Sequence, residues 1–294
     1  MLKEIRQKTI SVAIQGGYGS FHEIAACEYF ADMPINISPC DTFEDLFHEL
    51  AEGNVDCAMV AIENSVAGSI LPNYAKLRNS GLLVAGEIYL RIVQNLVALP
   101  GQSLSDIQEI HSHPVAIQQC NIFLEEMRRK GVKVVESIDT ALSAKWIRDE
   151  SLWGIGAVAS KNAAQLYNLD IIAEGVEADK MNFTRFLLVT GNEEILAMKK
   201  AEGENVDKAL VCFSLPHKVG SLSQILSILS YYDINLTKIQ SLPIVGKAWE
   251  YLFHIDLLFQ DYHQYKLALD AIRPLTAQLE ILGEYQHGQM PQPE

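Results

Sequence analysis

The chain has 294 residues, 49% of them apolar, which is enough for two or three hydrophobic cores and too much for a single small one. Its formal net charge is -14, from 37 acidic and 23 basic residues, and its longest basic run is only the triplet Arg128-Arg129-Lys130. That balance argues against nucleic acid and anionic membrane as partners. The five cysteines form no C-x-x-C pair and no apolar run is long enough to span a bilayer, so reduced thiols in a cytoplasmic protein are expected.

From residue 9 to about 190, β-rich runs alternate with amphipathic ones. "TISVAI", "PINISP", "VDCAMVAI", "LLVAGEI", "RIVQNLVALP", "VKVVES", "GIGAVAS", "LDIIAEG" and "RFLLVT" read as strands. "SFHEIAACEYF", "TFEDLFHELAEG", "AIQQCNIFLEEMRRKG" and "TALSAKWIRDE" read as helices. This alternation predicts an α/β fold with mostly parallel sheets. "LLVAGEI" and "RIVQNLVALP" follow each other without a helix between them, as expected for two α/β lobes joined by crossing strands with a cleft between. Residues 191–207, polar and charged with two glycines, read as a linker. Residues 208–285 then run strand, helix, strand, strand, helix, strand, which is the split βαββαβ pattern of a four-stranded antiparallel sheet. Residues 286–294 should be loose.

Several stretches place polar groups at strand-to-helix entrances, where unpaired N–H groups and partial positive charge collect. "QGGYGS" ends in Ser20, and "AIENSVAGS" ends a strand in Asn64 and Ser65. "IDTALSAKW" carries Asp139 and Thr140, and "AVASKNAA" carries Ser160 and Lys161. Each alone fits an ordinary cap or turn; four helix starts on one side of a sheet system exceed what capping needs. His111 and His113 lie two apart, but a metal site needs about three protein ligands. With Pro114 at the first helical position, His113 reads as a cap, and no metal is expected. "MNFTRFLLV" sets Asn182, Thr184 and Arg185 at the entrance of a buried strand. The arginine there fits either a surface ion pair or a clamp on an anionic ligand. There is no G-x-S-x-G, H-E-x-x-H or Gly-Lys-Ser/Thr loop.

The ordered set "QGGYGS", "ENS", "HPVAIQQC", "DTA", "AVASKNAA" and "NFTRF" resembles prephenate dehydratase, and the βαββαβ segment resembles the ACT regulatory domain that accompanies that enzyme. The resemblance covers residues 9 to 285. It implies a catalytic domain over 9–190 with two lobes like the periplasmic-binding-protein type II fold, and an ACT domain over 208–285. The implied reaction turns prephenate into phenylpyruvate, carbon dioxide and water in phenylalanine synthesis, without a cofactor. Arogenate, which carries an amine where prephenate has a ketone, is the alternative substrate, and a non-catalytic amino-acid sensor is the alternative class. The resemblance makes Thr184 the catalytic hydrogen-bond donor to the leaving hydroxyl. Arg185 is expected to hold the side-chain carboxylate that stays, and Ser20, Asn64, Ser65, Gln119, Thr140, Ser160 and Asn182 to orient the substrate. It further implies that phenylalanine binds between paired ACT domains of a homodimer or homotetramer, at Gly220, Ser221, Leu222, Asn235, Leu236, Gln240 and Ser241. The family's Glu-Ser-Arg-Pro run reads Gln240, Ser241, Leu242, Pro243 here, which removes two charges from that site.

Overall fold

The computed structural model describes residues 9–31, 33–202, 206–244, 246–247 and 250–291. They fall into two compact units. The first is built on residues 9–70 and 88–186, and the second on Leu71–Glu87 and Leu187–Gln289.

The first unit holds two sheets. In one, β1 (Ile10–Gln15) lies parallel to both β2 (Ile35–Cys40) and β3 (Cys57–Asn64). The two-residue strand β4 (Gly68–Ser69) folds back on β3, and β11 (Phe183–Thr190) follows β3 in the sheet order. Helices α1 (Phe21–Tyr29) and α2 (Phe43–Ala51) connect β1 to β2 and β2 to β3, each with its own side-chain cap. Thr42 and Asp45 cap α2 reciprocally, Asp45 N donating to Thr42 Oγ1 at 3.1 Å and Thr42 N to Asp45 Oδ2 at 3.1 Å.

The second sheet of this unit runs β10 (Asp170–Ala173), β6 (Asn95–Ala98), β9 (Ile155–Ala159), β7 (Glu109–Ser112), β8 (Lys133–Glu136). β7 is parallel to β8 and β9, while β6 is antiparallel to β9 and β10. Strand alternation on β6 sorts two cores. Leu96 and Ala98 pack with Ile110, Leu124 and Met127, under α4 (Pro114–Gln119) and α5 (Asn121–Arg129). Val97 and Leu99 pack with Ala141, Ala144, Ala157 and Ala163, under α6 (Thr140–Asp149) and α7 (Lys161–Leu166). Alanine on both sides of that second core lets helix and sheet approach closely. The stretch expected as one helix from Ala116 to Gly131 is two, broken at Cys120, and β7 was not expected as a strand.

The second unit carries β12 (Lys208–Ser214), α9 (Ser221–Tyr231), β13 (Asn235–Pro243), β14 (Tyr251–Leu258), α10 (Tyr262–Ile272) and β15 (Gln278–Tyr285). Their order β13-β14-β12-β15, antiparallel at every step, is the expected split βαββαβ sheet. Val211, Phe213, Ile255 and Leu257 pack against Ile225, Leu229, Tyr265 and Leu269 of the helices. The opposite sheet face is covered as well, which explains why β12 is buried at all seven residues. There α3 (Leu71–Ser80) sets Tyr74 5.1 Å from His254, ring to ring, and Arg78 2.8 Å from Glu280. One edge is also closed, because β15 pairs in parallel with β5 (Leu83–Arg91) at Gly283 and Val84. A Cβ on Gly283 would strike the Val84 backbone, so glycine is required at that crossing.

The expected linker is largely helical. α8 (Glu193–Glu202) buries Ile195 and Met198, an i,i+3 pair, while residues 203–205 lie outside the described set. The expected loose tail is anchored at its start. His287 N donates to Asp207 Oδ1 at 2.7 Å, and Gly288 N to Glu87 Oε1 at 3.0 Å. Glu87 is also gripped by Lys208 Nζ at 2.8 and 2.9 Å; residues 292–294 lie outside the described set.

His254 gives this unit an acid-sensitive point. Burial lowers its imidazole from 6.5 to about 4, with Arg78 adding to the fall and Asp256 and Glu280 opposing it. The folded-state value is the lower one, so the stabilisation is complete above about pH 6.5 and is lost as the pH falls toward 4. Between pH 7 and pH 5 the protein is expected to lose about 2 kcal/mol more unfolding free energy than its His254→Gln variant. Urea titrations at the two pH values measure this, and equal losses would show that folded His254 takes up its proton freely.

Candidate active site

A cleft of about 610 Å³ opens in the first unit. Four helix N-termini line it: α1 through Ser20, Phe21 and His22; α2 through Thr42 and Phe43; α4 through His113, Val115 and Ala116; α6 through Asp139 and Thr140. Of the helix starts suggested by the sequence, those at Ser20, His113 and Asp139 are three of these. The fourth, at Ser160, is replaced by that of α2. Ser160 is spent elsewhere: its Oγ donates to Gly19 O at 2.6 Å and accepts from Ala163 N at 2.9 Å. It ties the glycine loop to α7 and does not line the cleft.

That loop needs its glycines. Gly16 and Gly19 have φ of +93° and +85°, and a Cβ on Gly19 would come within 2.7 Å of Ala163 Cα. A Cβ on Gly16 would meet Asp139 Oδ2 at 2.6 Å. The close approach lets Asp139, which caps α6 through Leu142 N at 2.8 Å, also take a hydrogen bond from the Gly17 backbone. Burial still raises its carboxyl above the ordinary value, the backbone N–H groups and His113 acting against that rise.

Asn64, at the end of β3, is the centre of the polar network. Its Oδ1 accepts from Val66 N at 2.9 Å, Ala67 N at 2.7 Å and Gln119 Nε2 at 3.3 Å. Its Nδ2 donates to Asn182 Oδ1 at 2.7 Å, Phe183 O at 3.1 Å and Thr184 Oγ1 at 3.0 Å. Because Thr184 Oγ1 accepts from Asn64, its own proton is directed away from Asn64. Thr184 is 8% exposed and lines the cleft with Asn64 and Gln119.

The predicted residues therefore divide. Ser20, Asn64, Gln119, Thr140 and Thr184 line the cleft. Ser65 does not; its Oγ donates to Met181 O at 2.7 Å and accepts from Phe183 N at 2.9 Å, fastening the β3 turn to the start of β11. Asn182 is also behind the surface, as the acceptor for Asn64. Arg185 is 4% exposed and is not among the residues that line this cleft. Successive residues of a strand point to opposite faces, and β11 turns Thr184 and Phe186 to the cleft, which sends Arg185 the other way.

Two lining residues had drawn no attention in the sequence. His22 sits between Phe43 and Phe186, with ring centroids at 5.5 and 5.0 Å, and burial lowers its imidazole to about 3, so it is neutral at pH 7. Gln94 precedes β6 within an apolar run and is 2% exposed. Among the described residues the lining contains no lysine or arginine; its charged members are Asp41 and Asp139. The donors that the lining offers are helix N-terminal N–H groups and neutral side chains. Among the described residues, no three His, Cys, Asp or Glu side chains gather as a metal site requires, and His113 instead accepts from Val115 N at 3.3 Å.

Fold and cleft together define an α/β protein whose cleft is lined by helix N-termini and by a hydroxyl that accepts from Asn64. The sequence matches the family described as prephenate dehydratase over residues 12–194. The bifunctional chorismate mutase/prephenate dehydratase of Aquifex aeolicus is 32% identical over 281 residues, covering 95% of this chain and 74% of that one. Arogenate dehydratase/prephenate dehydratase 2 of Arabidopsis thaliana is 33% identical over 288 residues, covering 94% and 72%. The structure of prephenate dehydratase from Arthrobacter aurescens in complex with L-Phe superposes with a TM-score of 0.80 at 27% identity, covering 97% of this chain and 92% of that one. The chain belongs to the prephenate dehydratase family.

Proposed function

We propose that the protein converts prephenate to phenylpyruvate in the cytoplasm as a step of phenylalanine synthesis, and that phenylalanine regulates it through the βαββαβ segment. The observation that carries the catalytic reading is the Thr184 hydroxyl, which accepts from Asn64 Nδ2 at 3.0 Å and lines the cleft. As the bond to the ring carboxylate breaks, its electron pair moves into the ring and carbon dioxide departs. The C4 hydroxyl leaves with its own bonding pair and, once protonated, becomes water. A donor aimed at that oxygen stabilises charge that develops only in the transition state. The carboxylate that leaves should meet no cation, since pairing it would stabilise the ground state alone. A wall of Phe43, Ile70, Ile92 and Phe186 without lysine or arginine fits this requirement. The side-chain carboxylate, which survives the reaction, falls to the N-termini of α1 and α6.

For regulation, the catalytic role belongs to residues 9–190 and the ACT role to 208–285. Gly220, with φ +85°, opens α9, and the strand directions place it at the same end of the sheet as Gln240 and Ser241. Asn235 and Leu236 start β13 at the other end of the 11-residue α9, so one copy does not gather all the predicted residues. A second copy added at β13 would; β13 is the open edge, with alternately exposed residues. The L-Phe complex of the Arthrobacter relative supports the choice of effector.

The test is incubation of purified protein with prephenate and, separately, arogenate, following phenylpyruvate and phenylalanine with and without added phenylalanine. Phenylpyruvate formation is expected, with a rate altered by phenylalanine. No turnover of either substrate would return the chain to a sensing role.

A further inference from the structure

Gln94 has a buried acceptor that the reaction just described does not use. The orientation of its amide follows from a chain of assignments that starts at the backbone. Val66 N and Ala67 N donate to Asn64, so the atom they meet is Oδ1. Gln119 approaches that oxygen at 3.3 Å and must present Nε2, which turns its Oε1 toward Gln94. Gln94 in turn presents Nε2 to Gln119 at 3.4 Å. Gln94 Oε1 is left buried with no hydrogen-bond partner among the described residues, in a side chain that lines the cleft. A buried carbonyl oxygen without a donor is costly, and a bound ligand that supplies the donor recovers that cost.

The two candidate substrates differ in one group. Prephenate has a ketone, which only accepts hydrogen bonds, and arogenate has an ammonium, which donates three. Thr184 stands at the opposite end of the Gln94–Gln119–Asn64 chain and takes the leaving hydroxyl. That leaves the side-chain end of the substrate for Gln94. Beside Gln94 lies the Glu177 carboxylate, whose Oε2 accepts from Gln94 N at 2.9 Å while its Oε1 pairs with Lys180 Nζ at 3.2 Å.

We propose that Gln94 is a specificity-determining residue, its Oε1 accepting a hydrogen bond from the ammonium of arogenate, so that the cleft dehydrates arogenate as well as prephenate. This rests on the dehydratase reading given above. A ketone at the same place sets acceptor against acceptor and leaves Gln94 unpaired.

The test measures kcat/KM for both substrates with the unmodified protein, Gln94→Leu and Gln94→Glu, each checked for a cooperative melt. Loss of the acceptor in Gln94→Leu should lower the arogenate-to-prephenate ratio about tenfold or more, since sites built for a polar group discriminate strongly on it. A second acceptor charge in Gln94→Glu should raise that ratio, because a carboxylate attracts ammonium and repels the dianion. A general packing defect would lower both constants together and leave the ratio in place. A ratio constant within about twofold in whichever variants fold, or turnover of prephenate alone by the unmodified protein, would overturn the assignment while leaving the dehydratase reading intact. Failure with both substrates would remove that reading as well.

Discussion

Thr184→Ala is expected to lower kcat at least about a hundredfold while KM changes little, the signature of a donor used only in the transition state. The size corresponds to about 3 kcal/mol of barrier, typical for removal of one preorganised donor from a water-poor site. Thr184 Oγ1 is fixed on one side by Asn64 Nδ2 at 3.0 Å, and the residue is 8% exposed, so its proton has few other outlets. An aliphatic alcohol is too weak an acid to surrender that proton fully. Its contribution is therefore a shortening hydrogen bond to the departing oxygen. Thr184→Ser keeps the hydroxyl and should retain most activity, losing only the methyl group that restricts its rotamer. Steady-state kinetics with prephenate on both variants checks the pair, and near-normal turnover by the alanine variant would remove Thr184 from the mechanism.

The chain itself showed which parts of this site could be read in advance. Ser20, Asp139 and the cleft-facing end of β3 were legible because strand-to-helix entrances carry local signals: a glycine turn, a cap residue, a polar pair after an apolar run. Their convergence was not local information, and the place taken by Thr42 in preference to Ser160 depends on how the sheet and its helices pack. Arg185 shows a signal present and overlooked. Thr184 and Arg185 are adjacent on a strand, so period-two alternation already forbade both from facing one cleft. Gln94 and His22 gave nothing to read, since each sits in an ordinary apolar or helical run and becomes a lining residue only through long-range packing.

The same distinction holds in the second unit. The βαββαβ order was legible from strand and helix periodicity alone. The covering of its second face was not, because α3 contains Pro72, Asn73 and several polar residues and gains its burial from Tyr74 and Leu77 packing against distant strands. α8 was legible in principle: Ile195 and Met198 lie on one helical face within a charged stretch that was read as a linker.

Asn64→Asp is expected to reduce kcat as far as Thr184→Ala does, or further, although Asn64 need form no bond to the reacting oxygen. The exchange replaces one amide nitrogen by oxygen. It leaves the acceptor for Val66 N, Ala67 N and Gln119 in place and deletes the donor to Asn182 Oδ1, Phe183 O and Thr184 Oγ1. Thr184 would then turn its proton onto the new carboxylate and away from the substrate. Because both substitutions remove one function, the double variant should be no slower than Asn64→Asp alone, whereas independent roles would multiply. The introduced carboxyl is pulled two ways: at 6% exposure burial raises it, while Val66 N, Ala67 N and Gln119, which still donate to it, lower it. Only its protonated form can again donate to Thr184. A folded Asn64→Asp protein with unchanged kcat, or a double variant slower than Asn64→Asp alone, would show that Asn64 does not set the direction of the Thr184 proton.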